Sequence, residues 1–590
     1  MLNYQKREVF ILSGTKRYSV INGAFLLALA AFAVRIIGML YKIPLTNLIG
    51  AVGRGYFSTA YNIFTPVYAI SMAGLPIAIS RLVSQNMAAH RYGYVKGILR
   101  VSLRCFAVTG VAGFLILLAA AYPYAKYIAR TPNAVYSIVM LAPSVLFCCI
   151  ISAFRGYYEG QSNMYPTAIS QLIEALGRMS LGLGAAYAVM KITVGEYESA
   201  GTVFGRIIPQ GEDVMSIVYP YTAAAAVSGA TLGALLSMIY LILRHKIKGE
   251  NFTNDDLLMS PQLSGDGEIF STMLKFSLPV MIGTLILNLV NIVDSATIQN
   301  RLAYAIGADS DLIRTIYNMS SDVQTSDISA YLYGCYNAAM DFKNLIPTIT
   351  FALGVSALPA LAAAWEQKSR RSIENTVSMV TRLTVFISLP AGFGLAVMSK
   401  PILSIVYSGS QSDIVNAATP TLSIYSAAMV MFALSAPTIS MLHAIGDMTT
   451  PIKSLVAGSG VKIVLNLIFV GMPRFNINGA IFGTLASTVI IVIYNLTVLL
   501  RKTGVKLNVT AVFLKPFFAS VLSALGAYGC HFALSNHIGN PLATAISVII
   551  SIIIYIFVTF LVRGIYANDI KMFSFGEKIA KALEKYEFLR

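Results

Sequence analysis

Apolar runs of about 20 residues or more recur from one end of this 590-residue chain to the other. A run of that length matches the hydrocarbon thickness of a bilayer when helical. With no water to pair backbone N–H and C=O groups, helices are the open-chain solution in that solvent. The reading is therefore an all-α polytopic membrane protein of about 14 transmembrane helices, over 20–44, 56–82, 98–122, 135–154, 165–191, 215–243, 272–299, 334–363, 374–399, 415–441, 452–472, 478–500, 510–534 and 541–563. Composition agrees: 12% of residues are charged and 56% hydrophobic, where soluble domains carry about 25% charged residues.

The net charge of +17 does not point to nucleic acid. The basic residues gather in short loops between apolar runs, where the positive-inside rule places them. Lys6, Arg7, Lys16 and Arg17 precede the first span, and Arg81, Arg91 and Lys96 follow the second. Arg244, Lys246 and Lys248, then Lys368, Arg370 and Arg371, then Arg501, Lys502 and Lys506 mark later loops on the same side. The opposite loops 192–214 and 300–333 lean acidic. Both termini are expected in the cytoplasm and the chain in the plasma membrane. The basic N-terminus leads into an apolar run without a small-residue cleavage site, so that run is expected to stay as a spanning helix rather than be cleaved. The five cysteines fall in or beside apolar runs without metal-ligand spacing and read as small apolar filler, so no metal is assigned.

Two pairs of distant segments repeat each other. GLPIAISRLVSQ (74–85) matches SALPALAAAWEQ (356–367), and FRGYYEGQSNMYPT (154–167) matches SMLHAIGDMTTPIK (440–453). Six expected helices separate the copies. An even number gives them the same orientation, hence a parallel repeat of two six-helix lobes plus two extra C-terminal helices. The expected divisions are a cytoplasmic segment 1–19, an N-lobe 20–243, a linker 244–271, a C-lobe 272–500, two helices within 501–563 and an amphipathic tail 564–590.

Ionisable residues inside spans cost energy and call for a reason. Arg35 and Lys42 share a face of the first span; Gln171, Glu174 and Arg178 share one of the fifth. Ser459, Lys462 and Asn466 lie similarly past Pro451; Asn288, Asn291 and Asp294 fall in the seventh span, and Asn337, Asp341 and Asn344 in the eighth. Glu174 and Arg178 at i,i+4 equally suit a plain structural bridge, and Arg155, Glu159 and Lys453 read as interface anchors near helix ends. The remaining deep charges suggest a cavity lining shared by both lobes. Arg35, Lys42, Arg178 and Lys462 suit a phosphate or diphosphate. Glu174, Asn291, Asp294 and Asp341 suit a coupling Na⁺ or proton. Tyr56, Tyr61 and Tyr68 line the second span, as interface tyrosines often do. No Walker A loop, HExxH or GxSxG is present, so no catalytic residue and no cofactor are assigned, with coupling left to Na⁺, H⁺ or the membrane potential.

RIIGMLYKIPLTNLIGAVGRGYFSTAYNIF, MAGLPIAISRLVSQ, FRGYYEGQSNMYPTAISQLIEALGR and FALGVSALPALAAAWEQ together resemble the stage V sporulation protein B family. That family lies in the polysaccharide transporter branch of the multidrug/oligosaccharidyl-lipid/polysaccharide exporter superfamily. The resemblance implies a MATE-like fold and export of an undecaprenyl-diphosphate-linked sugar precursor by alternating access, as in lipid II flippases, with cell-wall synthesis enzymes as partners. Arg35 occupies the place of the flippases' first-helix Arg. Their following Arg-Asp pair is Tyr41-Lys42 here, and an Arg of their eighth helix is replaced by the Asn337-to-Lys343 neighbourhood. A cation-coupled drug antiporter of the same fold is the alternative. A glycosyltransferase or polymerase using the same lipid would need a large external loop, and the longest here is 300–333.

Overall fold

Apolar runs of this length become helices because each backbone amide finds its acceptor four residues back, in a solvent that offers no other. The computed structural model describes residues 2–72, 75–208, 214–249, 260, 265–317, 319, 324–407 and 412–562. The first half comprises α1 (Leu2–Met72), α2 (Leu75–Ala88), α3 (Tyr92–Pro123), α4 (Val135–Leu141), α5 (Pro143–Gly160), α6 (Tyr165–Ala200), α7 (Val214–Lys248) and α8 (Asp266–Ala308). The second comprises α9 (Ser310–Tyr317), α10 (Ile328–Lys343), α11 (Leu345–Glu366), α12 (Arg370–Val397), α13 (Ser399–Val406), α14 (Ser412–Ala427), α15 (Met429–Ala444), α16 (Thr449–Phe469), α17 (Gly479–Thr503), α18 (Lys515–Ile538) and α19 (Asn540–Leu561). The strands among described residues are a two-residue pair, β1 (Thr202–Val203) with β2 (Arg206–Ile207).

The described residues of each of the fourteen expected spans are mostly helical. By length and hydropathy, ten described helices qualify as spans, or eleven when Ile414–Ala427 and Met429–Ala444, bent by 53°, count as one. One of the ten, Leu29–Ala88, is 60 residues long and holds the expected span 56–82 and most of 20–44. The break is at Gly50, whose φ of 67° and ψ of −179° leave the helix; that left-handed region favours a residue without Cβ. The expected spans 272–299 and 334–363 lie on α8 and on α10–α11. The tail 564–590 and most of the linker 244–271 lie outside the described residues.

The chain packs as two units, residues 1–300 with 321–334, and residues 301–320 with 335–590. The duplicated motifs meet within each unit. In the first, α2 lies against α5: a Cβ on Gly156 would stand 2.8 Å from the Pro76 carbonyl oxygen, and one on Gly160 2.6 Å from that of Ser80. In the second, α11 lies against α15: a Cβ on Gly354 would stand 2.8 Å from Pro437 Cα. Below it Ala357, Leu361 and Ala364 pack with Met441, Leu442 and Ile445. Small residues allow this closeness where hydrocarbon supplies no hydrophobic drive between helices.

The turn between α15 and α16 is held by Asp447. Its Oδ1 accepts from the Thr449 and Thr450 amides at 3.1 and 3.0 Å, and its Oδ2 from Thr450 Oγ1 and Lys502 Nζ at 2.5 and 2.7 Å. Burial pushes this carboxyl up, but the bonds from Lys502, Thr450 and Thr449 outweigh burial and hold it well below the usual carboxylate range.

Two expected loops are largely structured. The segment 192–214 continues α6 to Ala200 and then turns through the β1–β2 hairpin. Glu196 ties that hairpin down, accepting from Thr202 Oγ1 and from the Phe204 and Gly205 amides at 2.7 to 2.9 Å. The segment 300–333 contains the end of α8, all of α9 and the start of α10. Tyr317 is anchored in the second unit, where its hydroxyl donates to Asn476 Oδ1 at 2.5 Å and accepts from Asn478 at 3.0 Å. Asp327 and Tyr333 are anchored in the first: Tyr56 Oη donates to Asp327 at 2.6 Å and Asn62 donates to Tyr333 Oη at 2.6 Å. Tyr56 is thereby committed to this contact.

Candidate functional site

The charged residues of the first unit assemble where α5 turns into α6. α5 ends in Gly160, the chain turns through Gln161–Met164, and Pro166 restarts it as α6, the first-turn position proline favours. The reversal lays the end of α5 along the start of α6. Arg155 reaches across: its Nε donates to Ser170 Oγ at 2.9 Å and its Nη2 to Glu174 Oε2 at 2.9 Å. One turn further, Arg178 Nη2 donates to the other oxygen, Oε1, at 3.1 Å. The Arg155 and Glu174 side chains are each 17% exposed and that of Arg178 is 37% exposed.

α7 fixes the backbone under this network. Its Gly229-Ala-Thr-Leu-Gly233 stretch crosses α6 so closely that a Cβ on Gly233 would stand 2.6 Å from the Glu174 carbonyl oxygen and 2.8 Å from the Arg178 amide nitrogen. Ser237 Oγ donates to the Ser170 carbonyl at 3.0 Å. On another side stands an aromatic ladder of α1, Tyr41–Phe57–Tyr61–Phe64–Tyr68, with successive ring centroids 6.4, 4.8, 5.9 and 5.5 Å apart. Tyr61 lies within electrostatic reach of Arg178 and Glu174, and Tyr68 of Glu174 and Arg155. Two donors here, Arg178 Nε and the Tyr61 hydroxyl, are buried without a hydrogen-bond acceptor in the described protein. Arg54, 2% exposed, adds a further cation, its guanidinium 5.3 Å from the Phe57 ring centroid and within reach of Tyr61.

Thus the structure joins Glu174 and Arg178 and adds Arg155, whose position near a helix end suggested an interface anchor. The plain bridge between Glu174 and Arg178 is real, but it is one arm of a three-residue network. Arg35 is exposed and Lys42 half-buried on α1; Asn291 is exposed and Asp294 half-buried on α8. Asp341 and Lys462 are half-buried in the second unit, on α10 and α16. Lys462 repeats the α6 arrangement at its backbone: a Cβ on Gly483 of α17 would stand 3.0 Å from its carbonyl oxygen. Arg54 is the residue missed, and its signal was an arginine inside an apolar run. Among the described residues no group of three His, Cys, Asp or Glu side chains could hold a metal ion.

The chemistry available is recognition of an anion. Two guanidiniums share the Glu174 carboxylate, a second carboxylate, Glu159, lies within electrostatic reach of Arg155, and guanidinium forks match phosphate oxygens. The second unit has an apolar crevice of its own, about 500 Å³, lined by residues including Phe386, Pro390, Leu395, Met398, Ile552 and Tyr555. Tyr555 closes one wall by donating to the Phe386 carbonyl at 2.9 Å.

Comparison with known proteins shows what the chain is similar to. Residues 20–209 match the polysaccharide biosynthesis protein family and residues 310–468 match MatE. The chain is similar to lipid II flippase MurJ of Bacillus subtilis (strain 168), 25% identical over 503 residues, covering 82% of this chain and 83% of that protein. It is 23% identical over 478 residues to stage V sporulation protein B of the same organism, covering 80% and 82%. Among solved structures, a lipid II flippase MurJ in an inward closed conformation superposes with a TM-score of 0.59 at 15% identity, covering 91% of this chain and 98% of that one. An inward-facing multidrug resistance MATE family transporter of the MOP superfamily gives 0.57 at 13% identity, covering 81% and 98%.

Proposed function

We propose that this chain, a multi-pass α-helical member of the multidrug/oligosaccharidyl-lipid/polysaccharide (MOP) exporter superfamily, flips an undecaprenyl-diphosphate-linked oligosaccharide across the plasma membrane by alternating access. The observation that carries the reading is the Arg155–Glu174–Arg178 network, two guanidiniums converging on one carboxylate within the spans. A diphosphate is the part of such a lipid that needs cations, and the guanidiniums of Arg155 and Arg178 provide them, with Arg35, Lys42 and Lys462 as further cations within the spans. The similarity to a lipid II flippase supports the same substrate class. Asn291, Asp294 and Asp341 serve the coupling Na⁺ or proton. The prenyl chain runs beside α18 and α19, where the apolar crevice has the right polarity. Both termini face the cytoplasm, and cell-wall synthesis enzymes supply and consume the cargo.

Depletion of the protein tests this in cells. Lipid-linked precursors should accumulate on the cytoplasmic leaflet, and unchanged precursor pools on depletion would contradict the proposal. The MatE match over 310–468 favours a second reading, a cation-coupled drug antiporter. That reading predicts dye efflux driven by Na⁺ or H⁺ and indifference to Arg155 and Arg178.

A further inference from the structure

We propose that Glu174 is a built-in occupant of an oxyanion site, holding the place that a substrate phosphate takes on binding. The inference rests on the transport reading and narrows it to one exchange of contacts. The geometry is that of a bridging oxyanion: each Glu174 oxygen is held by a different guanidinium, Arg155 at 2.9 Å and Arg178 at 3.1 Å. A phosphate presents oxygens to two guanidinium forks in the same manner.

One further observation separates this arrangement from a plain structural bridge. Two buried donors beside the carboxylate, Arg178 Nε and the Tyr61 hydroxyl, have no acceptor in the described protein. Both Glu174 oxygens are already engaged. A phosphate, with more acceptor oxygens and more negative charge than a carboxylate, can serve the guanidiniums and these donors together. Gly233 packs directly on the α6 backbone at Glu174 and Arg178, beneath the side chains that would exchange contacts.

The test is equilibrium binding of farnesyl diphosphate and of inorganic pyrophosphate to the full chain in lipid nanodiscs. Removing the competing carboxylate charge in Glu174→Gln should tighten farnesyl diphosphate binding about tenfold, the scale of one charge-assisted contact. Arg178→Gln should weaken it by about tenfold or more. Pyrophosphate following the same order means that the headgroup alone is read; a gain confined to the prenyl compound means that the site takes the phosphate only when lipid-borne. Equal or weaker binding by a Glu174→Gln protein with wild-type thermal stability overturns the inference and makes Glu174 a structural bridge. Should that variant not fold, Glu174→Asp keeps the charge but is too short to span both guanidiniums, and it must also bind more tightly than wild type; no gain overturns the inference equally. The transport reading fails separately, when wild-type protein neither binds the prenyl diphosphate nor flips precursor. Wild-type flipping without a gain in either variant sinks only the role of Glu174.

Discussion

Arg155 does its work through what it reaches. It closes a helix, yet its guanidinium spends its hydrogen bonds on Ser170 and Glu174 of the next helix. Removing either arginine leaves an ionic network in the spans with one member short, which is costly when partners are mostly buried. Arg178→Gln and Arg155→Gln should each lower precursor flipping about tenfold or more at normal expression, measured as initial rates in proteoliposomes. Asp447 answers to a different measurement. Lys502 is half exposed, at 48%, so the pair itself contributes little and the caps on Thr449 and Thr450 carry most of the effect. Asp447→Ala should cost about 1–2 kcal/mol, read as a lower Tm in detergent. Because the folded carboxyl lies below the ordinary range, its contribution is fully present above about pH 4, the unfolded value. It is lost as pH falls through the lower folded value, so the Tm difference between wild type and Asp447→Ala should be flat from pH 5 to 8 and shrink only in stronger acid. The Glu174–Arg178 spacing was readable because i,i+4 is a property of one helix. Arg155 was not, because its partner depends on how the turn at 161–164 reverses the chain.

At the scale of elements, the α6–α7 crossing sets the position of the site. Gly229 and Gly233 are one turn apart, a small-residue spacing known to bring membrane helices close. The motif was present in the sequence, but nothing there said that its partner is the backbone of Glu174 and Arg178. Gly233→Leu must push α6 away, since even a Cβ meets backbone atoms at 2.6 and 2.8 Å. The expected cost is about 1–3 kcal/mol, visible as a lower Tm together with lost flipping, while Gly184→Ala on the open side of α6 should change neither. The loop 300–333 shows the opposite limit. Its polarity gave no sign that Tyr317 would dock on Asn476 and Asp327 on Tyr56, because each bond joins residues more than 150 positions apart.

At the scale of the molecule, period and length did most of the work. Apolar run length gave helices in a membrane, and the helix positions followed to within a few residues, because the bilayer allows few alternatives. The echo between 74–85 and 356–367 is now visible as packing: in each unit the Leu-Pro segment lies against the partner motif that closes the next repeat, α2 on α5 and α11 on α15. The two copies diverge in charge. Arg155 and Glu174 of the first correspond, at the same separation of about 285 residues, to Ser440 and Ser459 of the second. The network that would hold a diphosphate therefore belongs to the first unit alone, so neutralising the second-unit Lys462 should reduce transport less than neutralising Arg178. Whether the chain moves a diphosphate-linked lipid is read by the flipping of a fluorescent undecaprenyl-diphosphate-linked saccharide by the purified protein in proteoliposomes. Wild-type protein should flip it well above protein-free liposomes, and Arg178→Gln should lower that rate about tenfold or more. A wild-type rate no faster than empty liposomes, with dye efflux in its place, would contradict transport of such a lipid.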